Sequence, residues 1–240
     1  MSPSLSEARN YYAWIMDRFV PYLGRRVLDV GGGHGPLLDH VVAQGRSVTA
    51  VDLSADCVRE IQLRFRGQAL EARQGDIADP ALAAELAGER FDTVLCVNVL
   101  EHIERDGAAL RSLADILRPA GGRLLLLVPA HPFLFGAPDE LAGHFRRYSR
   151  KGLRGLLEAS GFRVERLSFF NAPGVIPYFI TSRLVRPRSL GGVVDTQLRW
   201  YDRLVVPVAR RLEPSVGMPF GQSLTAVAVP RGEPNGGRSG

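Results

Sequence analysis

A chain of 240 residues, 45% of them hydrophobic, is long enough for one α/β domain with a sizeable core. No run of apolar residues approaches the roughly 20 of a membrane span. The first residues lack the positively charged segment followed by an apolar segment that is typical of a signal peptide. Cys57 and Cys96 form no metal or redox motif, so we expect buried thiols in a cytoplasmic protein.

The chain is basic, with a formal net charge of +5 and a sequence isoelectric point of about 9.7. That balance is common among nucleic-acid-binding proteins. Lys151 is the only lysine, however, and the arginines that supply the other positive charges are dispersed along the chain. We therefore expect no nucleic-acid partner.

The first predicted element is an amphipathic helix over residues 5–23, within an N-terminal segment of residues 1–24. The side chains on or near its apolar side are Tyr11, Tyr12, Trp14, Ile15 and Phe19. This pattern predicts a helix that packs on the sheet formed by the following core, residues 25–130.

Residues 27–36 read VLDVGGGHGP, a short apolar strand that runs into a glycine-rich turn before a predicted helix over residues 37–44. Glycines at such a turn let the backbone fold tightly and approach a ligand. They follow the pattern D-x-G-x-G-x-G through Asp29, Gly31, Gly33 and Gly35. A dinucleotide fingerprint would place its third glycine at position 36, where the chain has proline, so that cofactor class is excluded.

Polar side chains recur where the next predicted strands end. The strand over residues 47–52 ends at Asp52, whose carboxylate can accept hydrogen bonds from two ribose hydroxyls. A short strand over residues 70–74 is followed by Asp76, whose carboxylate can accept hydrogen bonds, and by the aliphatic Ile77.

The fourth predicted strand, residues 91–97, is apolar enough to be buried on both faces and leads into Asn98. A helix and a fifth strand, residues 123–128, follow. This alternation predicts a doubly wound parallel sheet, in which ligands bind at the carboxyl ends of the strands. The glycine turn and the strand-end side chains all fall at that edge.

In this order, the glycine turn and the strand-end acids resemble the class I S-adenosylmethionine (SAM)-dependent methyltransferases, over about residues 10–229. The resemblance implies a Rossmann-like, doubly wound, seven-stranded α/β sheet with an N-terminal helix and a helical cap inserted before an antiparallel last strand. It implies SAM as the cofactor and S-adenosylhomocysteine as the product. The implied cofactor contacts are Tyr11, Asp29, Gly31, Gly32, Gly33, Asp52, Leu53, Asp76, Ile77, Asn98, Val99 and His102.

The polar, proline-rich residues 131–149 resemble a loop found in a bacterial small-molecule subgroup of these enzymes. They are predicted to line an acceptor pocket, with Asp139, Arg146, Arg147 and Tyr148 as substrate contacts. His144 is our first candidate for a catalytic base and His131 the second. The alternative is a structural loop pinned by Asp–Arg pairing. Histidines and carboxylates show no metal-type spacing, so no metal is predicted.

About fifty residues separate the strand predicted over residues 162–170 from the last strand, residues 222–229. Prolines divide this stretch, and residues 196–212 are predicted to be helical with a kink near Pro207. We interpret residues 171–220 as a helical cap or dimer surface, with a membrane-surface segment as the alternative. The aromatic and cationic side chains that favour the alternative are Phe169, Phe170, Tyr178, Phe179, Arg183, Arg186 and Arg188. Residues 231–240 are a predicted disordered tail.

The sequence therefore predicts a cytoplasmic methyltransferase, monomeric or homodimeric. It would transfer a methyl group from SAM to an oxygen, nitrogen or carbon atom of a small molecule, such as a specialised metabolite. Two alternatives stay open: a SAM-binding protein that does not methylate, and a nucleic-acid methyltransferase. The chain lacks the Asn/Asp-Pro-Pro-aromatic loop typical of enzymes that methylate base amines or glutamine amides.

Overall fold

The computed structural model describes residues 8–185, 198–213 and 219–232. One seven-stranded sheet has the order β3-β2-β1-β4-β5-β7-β6. The first five strands pair in parallel, and β7 lies antiparallel between β5 and β6, as predicted. The strands are β1 (Arg26–Val30), β2 (Ser47–Asp52), β3 (Leu70–Gln74), β4 (Thr93–Val97), β5 (Arg123–Pro129), β6 (Phe162–Phe170) and β7 (Ser223–Pro230).

Helices cover both faces of this sheet. They are α1 (Arg9–Phe19), α2 (Leu38–Val42), α3 (Ala55–Arg64), α4 (Pro80–Gly88), α5 (Asp106–Leu117), α6 (Ala137–Ala142), α7 (Arg150–Ala159), α8 (Val175–Ile180) and α9 (Val206–Leu212). The helix predicted over residues 37–44 is therefore shorter than expected. Ser54 caps α3, because its side chain accepts a hydrogen bond from the backbone nitrogen of Cys57.

The central strands β4 and β5 are buried on both faces, and successive side chains alternate between two hydrophobic cores. Val94 and Leu124 contribute to the core that contains α5 and α7. Leu95 and Leu125 contribute to the core beneath α1. The sheet is thus fixed from both sides, which holds its carboxyl edge in place.

The start of helix α1 is capped by a residue nearly two hundred positions away. Ala8 supplies no side-chain cap, but the carboxylate of Asp202 accepts hydrogen bonds from the backbone nitrogens of Tyr11 (2.8 Å) and Asn10 (3.3 Å). A carboxylate satisfies the unpaired N–H groups at a helix start and interacts favourably with the helix dipole. The segment before β7 is therefore attached to the N-terminal helix.

The stretch between β6 and β7 is helical in its described parts. A π-helical turn, Thr181–Val185, extends α8, and a second one, Tyr201–Val205, leads directly into α9. The change from π to α geometry coincides with Pro207, where a kink was predicted. Arg186, Arg188, the start of the predicted 196–212 helix and positions 233–240 of the predicted tail lie outside the described residues.

Residues 131–149 are more buried than their composition suggested. They form a 3-10 turn (Pro132–Leu134) and helix α6, and they bury Leu134, Asp139, Arg147 and Tyr148. Within the described ranges, every helix is too short or too polar to cross a bilayer.

Candidate active site

The turn after β1 depends on glycine for both its backbone and its packing. Gly31 has a φ of +63°, and a Cβ there would lie 2.7 Å from the side chain of Val99. A Cβ on Gly32 would lie 2.1 Å from a carboxylate oxygen of Asp29. Left-handed backbone and contacts this close exclude other residues, so the loop can follow the sheet edge closely.

Asp29 is buried at the base of this turn, and its Oδ2 has no hydrogen-bond partner among the described residues. Burial, with a smaller contribution from the charge of Asp52, raises the pKa of Asp29 to about 7. The folded chain therefore keeps this carboxyl protonated to a much higher pH than the unfolded chain does.

This difference predicts a loss of stability as the pH rises from about 4 to 7. Over that window the folded chain holds a proton that the unfolded chain has lost, so deprotonation favours unfolding. The effect is up to about 4 kcal/mol, since each pKa unit corresponds to about 1.4 kcal/mol. Urea unfolding of the wild type and of Asp29→Asn at pH 5 and 7.5 measures it. We expect the free energy of unfolding to change less between the two pH values in Asp29→Asn than in the wild type. An equal change in both proteins would contradict the prediction.

A cavity of about 1200 Å³ opens at the carboxyl edge of the sheet. It brings together nine of the twelve predicted cofactor residues, namely Tyr11, Gly31, Asp52, Leu53, Asp76, Ile77, Asn98, Val99 and His102. The other three lie behind the wall: Gly33 donates from its backbone nitrogen to Asp52 Oδ2 (2.9 Å), and Asp29 lies against Gly32. These residues meet because the strands that carry them end at one edge.

Asp52 is anchored at the end of β2. Its Oδ2 binds the glycine turn and its Oδ1 accepts from the backbone nitrogen of Ser54 (2.8 Å). A carboxylate has about four acceptor positions, so two remain for a ligand. Asn98, at the end of β4, has a φ of +54°, a backbone conformation that asparagine tolerates better than most residues.

Glu101 was not among the predicted site residues, yet it is the most unusual group in the cavity wall. It lies in the 3-10 turn Leu100–His102, is 0% exposed, and neither carboxylate oxygen has a hydrogen-bond partner among the described residues. Burial raises its pKa to about 8. Its position in the loop between the predicted cofactor contacts Asn98 and His102 was the available signal, but the sequence does not reveal its complete burial.

His144 faces Glu101 across the cavity, with 4.0 Å between His144 Nε2 and Glu101 Oε1. Its other ring nitrogen, Nδ1, hydrogen-bonds Asp139 Oδ1 at 2.8 Å. Asp139 is itself bound by Arg147 Nε (2.8 Å) and by the hydroxyl of Tyr178 (2.7 Å). Burial raises the pKa of Asp139, but His144 and Arg147 outweigh it and hold that pKa below its usual value. The ring of His144 is thus fixed in orientation.

The other predicted acceptor residues lie elsewhere. His131 stacks on Phe169, with ring centroids 5.1 Å apart, and is not part of the cavity lining. Arg146 pairs with Asp106, to which the hydroxyl of Tyr148 also donates (3.0 Å). Of the predicted acceptor set, His144 and Arg147 reach the cavity, and Asp139 supports them from behind.

The sequence showed no metal-type spacing, but the fold assembles a potential ligand cluster. Glu101, His102 and His144 place one ligand atom each within 4.8 Å of one another. The cluster is invisible in the sequence because His144 reaches it from a separate loop, forty-two positions after His102.

A sheet of this order, with a glycine turn and strand-end acids around one cavity, defines the Rossmann-like methyltransferase class of α/β proteins. A family model described as a methyltransferase domain matches residues 5–167, and the chain belongs to that family. This assignment confirms the predicted class I SAM-dependent methyltransferase and its cofactor.

Individual proteins are similar over different extents. A ubiquinone biosynthesis O-methyltransferase from Paracidovorax citrulli is 38% identical over 112 residues, which cover 45% of each chain. The chain thus spans about half the length of this curated relative. The structure of a SAM-dependent methyltransferase from Archaeoglobus fulgidus has a TM-score of 0.60 at 19% identity, covering 92% of this chain and 94% of the other.

A magnesium protoporphyrin IX methyltransferase from Synechocystis, solved with S-adenosylhomocysteine bound, has a TM-score of 0.54 at 19% identity. The match covers 95% of this chain and 84% of that one. At such identities the two solved structures show a shared fold and nothing further.

Proposed function

We propose that this methyltransferase transfers a methyl group from SAM to an acidic hydroxyl of a small molecule. One observation carries the proposal: a single cavity joins the strand-end acids Asp52 and Asp76 to the polar cluster of Glu101, His144 and Arg147. A cofactor at the sheet edge and an acceptor beside His144 would share that cavity. The O-methyltransferase relative supports oxygen as the acceptor atom.

The proposed reaction is an in-line displacement. The sulfonium–methyl bond of SAM breaks as the oxygen–methyl bond forms, and the acceptor hydroxyl loses its proton. The methyl group is already activated, so holding the reactants in line supplies much of the acceleration. A fixed His144 beside the acceptor can assist the loss of the proton.

The test follows an isotopic label. Purified protein is incubated with SAM carrying a trideuterated methyl group and a metabolite extract of the source cells. We expect the label in a small organic product as a deuterated methoxy group, identified by mass spectrometry and NMR. Label in nucleic acid, in protein, or on nitrogen or carbon would contradict the proposal, as would SAM binding without any transfer.

Asp52→Ala is predicted to weaken SAM binding strongly. The substitution removes an acceptor for two hydroxyls, at roughly 1.5–3 kcal/mol for each charge-assisted hydrogen bond before compensation. It also frees the backbone nitrogen of Gly33. Calorimetry measures the affinity, with Asp56→Ala on the exposed face of α3 as the matched control. Equal affinities for the two variants would show that Asp52 does not hold the cofactor.

We also place the protein in the cytoplasm, as a monomer or homodimer. Cys57 and Cys96 are free thiols in the fold, which supports a reducing compartment.

The cap carries exposed Ile176, Phe179 and Trp200, which suit either a dimer contact or a weak membrane-surface contact. Light scattering, with and without anionic vesicles, separates these arrangements.

A further inference from the structure

We propose that Glu101, His102 and His144 bind a divalent transition-metal ion in the acceptor half of the cavity. Their ligand atoms lie within 4.8 Å of one another, and the rings of His102 and His144 are 4.6 Å apart at 84°. Metal bonds of about 2.0–2.2 Å place ligand atoms about 3–4 Å apart. Small side-chain rotations would close the site, and the exposed ring of His102 would exchange its hydrogen bond to the backbone of Gly143 for the metal.

The second observation is the unpartnered carboxylate of Glu101. An ionised carboxylate at 0% exposure is costly unless a cation or hydrogen-bond donors compensate it. Neither of its oxygens has a donor among the described residues, and Glu101 is one of the residues that line the cavity. A bound cation would supply the missing charge.

The surroundings of His144 match those of a metal-binding histidine. Its Nδ1 hydrogen-bonds Asp139 at 2.8 Å, and its Nε2 lies 4.0 Å from Glu101 Oε1. A neutral ring that donates its Nδ1 proton to Asp139 would have Nε2 available to bind a metal. Metal-binding histidines usually donate their other ring N–H to a carboxylate in this way. Asp139 is fixed in turn by Arg147 and Tyr178, so the orientation is built before any ion arrives.

The ligand types indicate which ions fit. Two imidazoles and one carboxylate suit zinc or another first-row transition metal, whereas magnesium and calcium prefer oxygen ligands. Three protein ligands leave a further position that opens into the cavity. An acceptor hydroxyl that reached it would have a lowered pKa and release its proton to water. This role, unlike the binding itself, rests on the proposed function.

The test measures metal binding directly. Untagged full-length protein is stripped with a chelator, loaded with Zn²⁺ and passed through a desalting column, and its zinc is measured by mass spectrometry. Co²⁺ loading adds a visible absorption band that reports the ligand geometry. We expect one equivalent of zinc in the wild type, and at least tenfold weaker binding in Glu101→Gln and His144→Asn. His40→Asn on α2, outside the cavity lining, is the matched control and should bind like the wild type.

Folding is checked by far-UV circular dichroism in every variant and, for Glu101→Gln and His144→Asn, also by SAM binding. Because Glu101 is buried, the exposed His102→Asn provides a second variant, also expected to lose at least tenfold in zinc affinity. A wild type that retains no more zinc than Glu101→Gln would overturn the proposal, as would equal cobalt spectra in all variants. Methyl transfer by a metal-free wild type would refute the ion's role in the reaction and leave the proposed function standing.

Discussion

Replacing Arg147 with methionine is expected to lower the free energy of unfolding by about 3–5 kcal/mol, because it leaves a buried carboxylate without its cation. Asp139 is 0% exposed, and the side chain of Arg147 is only 2% exposed. The pair is joined by hydrogen bonds of 2.8 and 3.0 Å from Arg147 Nε to the two carboxylate oxygens. Arg147 also donates to the backbone oxygen of Ala130 (3.1 Å) and lies over the ring of Tyr178.

Arg146→Met is the matched control, because it is the same change one position earlier. Arg146 pairs with Asp106 at 2.8 Å, but its side chain is 33% exposed, and such pairs contribute about 0–1 kcal/mol. Urea unfolding followed by circular dichroism gives both losses. Similar values for the two variants would show that the Asp139–Arg147 pair does not stabilise the loop.

The sheet could be predicted well from the sequence. Strands β3 and β6 have the predicted bounds, because Gly75 follows the first strand and Gly161 precedes the second. The position of the predicted cofactor residues follows from topology, since parallel strands share one carboxyl edge. The residues predicted at the strand ends therefore form most of one wall of the cavity.

The acceptor half could not be predicted in the same way. Arg146, Arg147 and Tyr148 are consecutive and polar, yet the first faces outward, the second binds Asp139, and the third reaches Asp106. Their directions depend on how the loop crosses the sheet edge, which no local periodicity encodes. Asp–Arg pairing was the alternative interpretation of this loop, and Arg147 with Asp139 follows it.

Glu101 shows a different limit. Its carboxylate is completely buried and has no hydrogen-bond partner among the described residues. This burial depends on a distant loop, whose Phe145 donates from its backbone nitrogen to the backbone oxygen of Glu101 (2.8 Å). The predicted histidines illustrate the same limit. His144 and His131 were the first and second candidates for a catalytic base, and of the two only His144 reaches the cavity.

The second large effect that we expect is a loss of methyl-transfer rate on replacing His144. His144→Asn is expected to slow methyl transfer by about 10²–10⁴, the usual cost of losing a proton-transfer group. Asparagine neither takes a proton at neutral pH nor replaces imidazole as a ligand for transition metals. The loss is therefore expected whether His144 removes the acceptor's proton itself or holds an ion that acidifies the hydroxyl. SAM affinity should change little, because our proposal places His144 on the acceptor side of the cavity.

The matched comparison is His131→Asn. His131 has a φ of +62°, a conformation that asparagine tolerates, and it stacks on Phe169 outside the cavity lining. Turnover at saturating SAM and acceptor, together with calorimetric SAM affinity, separates the possibilities. A parallel loss of SAM affinity in His144→Asn would place that residue on the cofactor side. If both variants keep full turnover, the cavity must act by positioning alone, on an acceptor that needs no help to lose its proton.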